Sequence, residues 1–162
     1  EYIKAMDFDR FKEMALPFVK DVIHREMDFD KILSMVKTRI ERLTEIPEHI
    51  DFFEQVPDYD ISMYKHKKMK TTPESSLDVL KEVLPVIEAQ EDFSNDALYE
   101  MLLAFAKEHG YKNGYVMWPV RTALSGKQMT PGGATELMEL LGKEESIRRI
   151  NAAVGRLEAE IS

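Results

Sequence analysis

Apolar residues recur along this chain at three- and four-residue intervals and almost nowhere in alternation, which restricts it to packed helices. Phe8, Phe11, Ala15, Val19, Val22 and Ile23 form one stripe, and Ile32, Leu33, Val36, Ile40 and Leu43 form a second. Leu77, Leu80, Leu84 and Ile87 make a third, Leu98, Met101, Leu102 and Phe105 a fourth, and Ile147, Ile150, Val154, Leu157 and Ile161 a last one. A helix with a single apolar stripe must bury it against another helix. The expected fold is therefore all-α, an irregular helical bundle or cage of roughly eight helices in two subdomains. No repeat at a fixed period runs through the sequence, which argues against a regular solenoid.

Proline, glycine and short polar residues punctuate these stripes. Pro17 interrupts the first and predicts a kink or break near Leu16. Asp28 or Asp30 is positioned to cap the second helix, and Pro47 to open a short helix carrying Ile50, Phe52 and Phe53. Thr72-Pro73-Glu74 reads as a helix start, and Ser94 precedes the next helix, which should stop at His109-Gly110. Leu141-Gly142 repeats the glycine stop. Periodicity lapses from Val56 to Thr72, where an acidic stretch gives way abruptly to Lys65-His66-Lys67-Lys68-Met69-Lys70. That stretch reads as the connection between residues 1–70, with the linker from about residue 56, and residues 71–162. Two readings fit its basic run, a solvated linker or a surface that touches an RNA backbone.

Several functions are disfavoured at once. The 162 residues contain no cysteine, so neither a disulfide framework nor a thiolate metal site is available. No apolar run is long enough to span a bilayer. The chain opens on Glu1 rather than methionine, so it is expected to be a piece of a longer protein. His24, His49, His66 and His109 lack ligand spacing, and no metal site is expected. His109 reads as a helix C-terminal residue favoured by the dipole. Glu136, Glu139, Glu144 and Glu145 fall where a solvated helix face would put them. There is no glycine-rich phosphate loop and no nucleophile elbow. The ten methionines lie mostly on the core stripes. The net charge of −8 repels nucleic acid on average, so an RNA role would need local basic patches or a separate domain.

Residues 112–150 are different in kind. Lys112-Asn113-Gly114 leads into Tyr115-Val116-Met117-Trp118-Pro119-Val120-Arg121-Thr122-Ala123-Leu124-Ser125-Gly126-Lys127, then Thr130-Pro131-Gly132-Gly133-Ala134 and Leu140-Leu141-Gly142-Lys143-Glu144, with Arg148-Arg149-Ile150 beyond. Pro119 is expected to fix a helix start and Gly126 to end that helix, while Thr130-Pro131 should begin another and present unpaired amides. An arginine near exposed amides suits base edges, because guanidinium donates two parallel bonds and stacks on a base plane. Arg121 could equally pair with a helix-end carboxylate.

The order and spacing of these submotifs resemble the C-terminal anticodon-binding region of bacterial glutamyl-tRNA synthetases, which are class I aminoacyl-tRNA synthetases. The first half resembles that family more loosely, through Val36-Lys37-Thr38-Arg39-Ile40-Glu41, Glu45-Ile46 and Phe52-Phe53. The resemblance implies a helical domain that grips the anticodon arm of tRNA-Glu, or also of tRNA-Gln, with Arg121, Thr130, Pro131 and Gly133 against the anticodon bases. At Gly133 some family members carry a larger apolar residue, which would reduce the base contact there to backbone. Arg39 or Arg42 is implied at the third anticodon base or a phosphate, and Lys68 and Lys127 are further expected tRNA contacts. Leu141-Gly142-Lys143 and Arg148-Arg149 are expected to support packing. It also implies a cytoplasmic monomer that binds neither DNA nor membrane, inactive by itself and without a cofactor. ATP with magnesium, and glutamate, would serve a separate catalytic domain. The superficially similar Lys67-Lys68-Met69-Lys70 lacks the serine-lysine ending of that domain's ATP loop. The rival reading is a helical protein-interaction domain whose Met- and Phe-bearing grooves take partner helices.

Overall fold

A computed structural model describes residues 2–161, and among these there are nine α-helices and no strand. The chain divides into two compact units: one runs to Val56 and also includes Met129–Gly132, and the other comprises Pro57–Gln128 and the chain from Gly133 onwards.

The first unit holds α1 (Tyr2–Ala5), α2 (Phe8–Val22), α3 (Phe29–Lys37) and α4 (Ile46–Ile50), with 3₁₀ turns at Leu43–Glu45 and Asp51–Phe53. Its core joins Phe11, Ala15 and Val19 of α2 to Ile32, Leu33 and Val36 of α3 and to Ile46 and Ile50 of α4, all buried. Phe52 and Phe53 close it, their ring centroids 4.2 Å apart. Of the two candidate caps for α3, Asp28 fills the role, its carboxylate accepting from the Lys31 amide at 3.1 Å. Pro17 does not break its helix. Helix α2 runs through it, because Pro17 and Glu13, whose carbonyl loses an amide partner, both lie on the exposed face. The stripe through Phe11, Ala15 and Val19 on the opposite face holds the helix together.

The second unit holds α5 (Pro73–Ala89), α6 (Asn95–His109), α7 (Asn113–Ser125), α8 (Ala134–Leu141) and α9 (Lys143–Ile161). Thr72 caps α5 by accepting from Ser75, Ser94 caps α6 by accepting from Ala97, and Gly110 ends α6 at φ +72°, a left-handed conformation that favours glycine. Helix α5 packs along α9, and α7 touches α5, α6, α8 and α9. Residues 57–72 are ordered here rather than free: Ile61–Tyr64 forms a 3₁₀ turn, His66 and Thr71 exchange two backbone hydrogen bonds, and buried Thr71 donates its hydroxyl to the Tyr64 carbonyl at 2.7 Å.

Two expected helix starts lie elsewhere. Helix α7 begins at Asn113, so Pro119 sits inside it, on a buried face with Val116, Val120 and Leu124 that extends to both sides of the proline. Helix α8 begins at Ala134 rather than at Thr130-Pro131. Gly133 takes the cap position, and Glu136 accepts its amide at 2.9 Å.

Arg149 ties α9 to α7. Its side chain is fully enclosed; Nη1 donates to the Leu124 carbonyl at 2.7 Å and Nε to Glu145 at 2.7 Å. Leu124 lies in the last turn of α7, whose carbonyls have no intrahelical partner and carry the negative end of the helix dipole. Arg148 also grips Glu145 with two bonds but is 64% exposed. Arg149→Ala is therefore expected to lower unfolding stability by about 3 kcal/mol or more, because it strips a buried ion pair of one partner. Arg148→Ala should change it by less than about 1 kcal/mol. Denaturant titration checks this; similar losses from both variants would contradict the assignment.

Candidate nucleic-acid interface

Helix α7 assembles the site. With Val116, Val120, Ala123 and Leu124 turned into the core, Trp118 and Arg121, three residues apart, share an adjoining face. The Arg121 guanidinium carbon lies 4.7 Å from the centroid of the Trp118 ring, close enough for cation–π attraction. One guanidinium nitrogen donates to the Gln128 carbonyl. Trp118 is held in turn by its Nε1–H on the Met63 carbonyl at 3.0 Å and by the His66 ring at 4.3 Å, edge-on. Burial pushes the Arg121 pKa below its usual value, but guanidinium is basic enough to stay charged.

This pair forms one wall of a cavity of about 550 Å³ in the second unit, a size suited to a small planar ligand. Met117, Met69 and Tyr99 add apolar surface, and Tyr99 is 48% exposed. The start of α8, from Gly133 to Glu136, and the start of α6 supply the polar edge. There, Asn95 Oδ1 accepts from Thr135 at 2.7 Å, and the Asn95 amide donates to Glu139 at 3.1 Å. An aromatic face and a fixed cation within one cavity can hold a nucleobase by stacking and read its edge through the guanidinium.

Of the expected site residues, Arg121 and Gly133 line this cavity together. Gly133 has an ordinary φ of −83°, and an added Cβ would meet only Glu136, at 4.0 Å. Neither backbone conformation nor crowding requires glycine there. Its amide is bonded to Glu136 rather than unpaired. Thr130 and Pro131 belong to the first unit, where the Thr130 hydroxyl donates to the Gly132 carbonyl at 2.6 Å. In that unit Arg39 Nε donates to the Pro131 carbonyl at 2.8 Å, fastening residues 129–132 to the end of α3. Arg42 is exposed, and its amide donates to Glu45 at 3.0 Å. Lys127 belongs to the turn after α7, its amide bonded to the Ser125 hydroxyl at 3.1 Å. Lys68 lines a second cavity, of about 470 Å³. Among the described residues no cluster of three or more His, Asp or Glu side chains could hold a metal, and no helix is long and apolar enough to cross a membrane.

Sequence reasoning did not place Asn95, Tyr99, Thr135 or Met69 in the site. Tyr99 carried a usable signal, an aromatic off the Leu98–Leu102–Phe105 stripe and so directed to solvent. Asn95 and Met69 come from distant points of the chain and carried none.

The sequence matches the anticodon binding domain family over residues 10–154. The chain belongs to this family. The anticodon-binding domain is 51% identical over 161 residues to a glutamate–tRNA ligase of Lachnoclostridium phytofermentans, covering 99% of this chain and 33% of that relative. It is 50% identical over 159 residues to the glutamate–tRNA ligase of Clostridium acetobutylicum, covering 98% of this chain and 33% of that relative. The chain thus spans about a third of the length of the curated relatives it matches. Among solved structures it resembles a glutamate tRNA ligase from Elizabethkingia meningosepticum in complex with its amino acid, at a TM-score of 0.77 and 25% identity over 96% of this chain and 30% of that one. A glutamate-tRNA synthetase from Elizabethkingia anophelis aligns at a TM-score of 0.71 and 28% identity, covering 95% and 30%. These similarities accord with the all-α fold of the domain.

The Arg39 contact yields a local prediction. Arg39→Ala should speed hydrogen exchange in residues 129–132 about tenfold, the loss of roughly one hydrogen bond, and leave α5 and α9 protected as before. Unchanged exchange in that segment would mean that the contact does not hold it.

Proposed function

We propose that this anticodon-binding domain reads the anticodon of tRNA-Glu and positions the tRNA for aminoacylation by the catalytic domain of a glutamate–tRNA ligase. The observation that carries the reading is the pairing of Arg121 with Trp118 on the wall of a cavity large enough to admit a base, in a chain about half identical to glutamate–tRNA ligases. An unstacked anticodon base enters the cavity and lies against the aromatic wall. Arg121, held over the indole, donates to the base edge, and the polar side chains at the starts of α6 and α8 border it.

The domain performs no bond chemistry in this reading. ATP with magnesium, and glutamate, are handled by the catalytic part, and the ligase acts as a cytoplasmic monomer. Arg42, exposed in the first unit, is the candidate for the third anticodon base or a phosphate, and so for the choice between tRNA-Glu and tRNA-Gln. Arg39 is the weaker candidate, because its Nε already holds the Pro131 carbonyl. Thr130 and Pro131 then act by presenting the 129–132 segment to the RNA rather than as a helix start. The negative net charge is offset by local cations and by the remainder of the ligase.

Equilibrium binding of tRNA-Glu tests this. The domain should bind it weakly, with affinity falling as salt rises. Changing the central anticodon base should reduce binding about tenfold or more, comparable to the loss of a good side-chain-to-base contact, and Arg121→Ala should remove that discrimination. Binding indifferent to both changes would overturn the reading.

A further inference from the structure

The Lys68 cavity lies beside the Trp118–Arg121 cavity, and Met69 and Gly114 line both. The Met69 side chain occupies the notch left by the missing side chain of Gly114, where a Cβ would fall on the Met69 sulfur. Met69 is itself anchored through its amide, which donates to His66 Nδ1 at 3.1 Å. One thioether therefore partitions two neighbouring chambers.

The chambers differ in character. The second is bordered by Lys68 and Lys70 of the 66–71 turn and by Lys112 at the start of α7. All three residues are exposed, and among the described residues none of these ammonium groups is paired with a carboxylate. The domain has 30 acidic against 22 basic residues, so three unpaired lysines around one cavity stand against the overall charge. The inner wall is aromatic: Tyr111 and Tyr115 line the cavity with ring centroids 4.9 Å apart, and His109 stacks on Tyr111 at 5.6 Å. The Tyr111 hydroxyl donates to Glu82 at 2.7 Å, which fixes the ring and raises its pKa to about 12, so it stays a neutral phenol. Lys70 also has φ +61°, and it is the one non-glycine residue in the left-handed region among those described. Glycine or asparagine would adopt that conformation more easily, yet the position carries a cation.

We propose that this cavity is a second nucleotide subsite, in which Lys68, Lys70 and Lys112 bind an RNA backbone phosphate and the Tyr111–Tyr115 wall stacks on the nucleotide next to the base held by Trp118 and Arg121. It rests on the proposed anticodon reading and extends it from one base to a two-nucleotide track divided by Met69. Lysine supplies a point charge suited to phosphate, and stacking on tyrosine is tolerant of sequence. The second subsite thus contributes affinity and register, and the first contributes base identity.

The test uses this chain, a tRNA-Glu anticodon stem-loop, and the triple variant Lys68→Gln, Lys70→Gln, Lys112→Gln. The variant should bind at least tenfold more weakly at low salt, with the slope of log affinity against log salt shallower by about 0.7, as loss of contact to one phosphate of single-stranded RNA requires. Its discrimination at the central anticodon base should be unchanged. A stem-loop carrying one uncharged methylphosphonate beside the read base should weaken wild-type binding but not weaken the variant further. Lys70→Gly separates binding from folding: it should weaken RNA binding while leaving the melting temperature unchanged or higher, because glycine accepts the left-handed backbone. Wild-type affinity and slope in the triple variant, with base discrimination retained, would overturn the second subsite and leave the anticodon reading standing. Absence of stem-loop binding by the wild-type chain would overturn both. Adenosine monophosphate competing as well as the stem-loop would overturn the RNA assignment in favour of a mononucleotide site.

Discussion

The last turn of α7 is where the second unit is held together, and Arg149 holds it. A helix that ends inside a domain leaves carbonyls without amide partners, and such groups are costly to bury unsatisfied. The buried guanidinium answers the Leu124 carbonyl directly and keeps its own charge matched through Glu145. Gly126 then takes a left-handed φ of +63°, which ends α7 cleanly and releases the chain towards residues 129–132. Because the C-terminal end of α7 is fixed in this way, its Trp118–Arg121 face has a fixed register against the starts of α6 and α8. The cavity is a by-product of that register, and its polar edge is built from helix-start residues that already have partners.

The distribution of charge is compatible with the proposed RNA role of an acidic chain. A net charge of −8 is an average over a surface on which cations are not evenly spread. Several are tied to carboxylates, as Lys12 is to Asp30, Lys81 to Glu158 and Arg148 to Glu145. Such exposed pairs add little stability, but they cancel locally and leave the unpaired lysines of the 66–71 turn to shape the field near the cavities. Arg121 works differently. Partly buried and stacked on an indole, it has limited freedom, so little conformational entropy is lost in the proposed contact with a base.

Much of the fold was legible because it is written in local chemistry. Thr72-Pro73, Ser94 and Gly110 bound their helices as expected, since a cap or a left-handed glycine acts on the adjacent turn whatever lies farther away. Proline was the weaker guide. Pro17 and Pro119 both lie inside helices, because a buried stripe continuing past the ring outweighs one missing amide. Thr130-Pro131 mimics a helix start, but Glu136 offers its carboxylate to Gly133 and moves the start three residues on. The 57–72 stretch lacked periodicity because its order comes from single bonds, such as Thr71 to the Tyr64 carbonyl. At the site, Arg121 could be singled out by residue type and context. Asn95 and Met69 could not, because they reach the cavity only through the packing of α6 and the 66–71 turn around α7.

The central claim is that a base occupies the cavity walled by Trp118, and the chain carries its own reporter, since Trp118 is its single tryptophan. Titration with the tRNA-Glu anticodon stem-loop, following tryptophan emission alongside an independent readout of binding, tests the claim most directly. Stacking in the cavity predicts saturable quenching that follows the binding curve and is lost when the central anticodon base is changed. Full binding with an undisturbed tryptophan signal would contradict it.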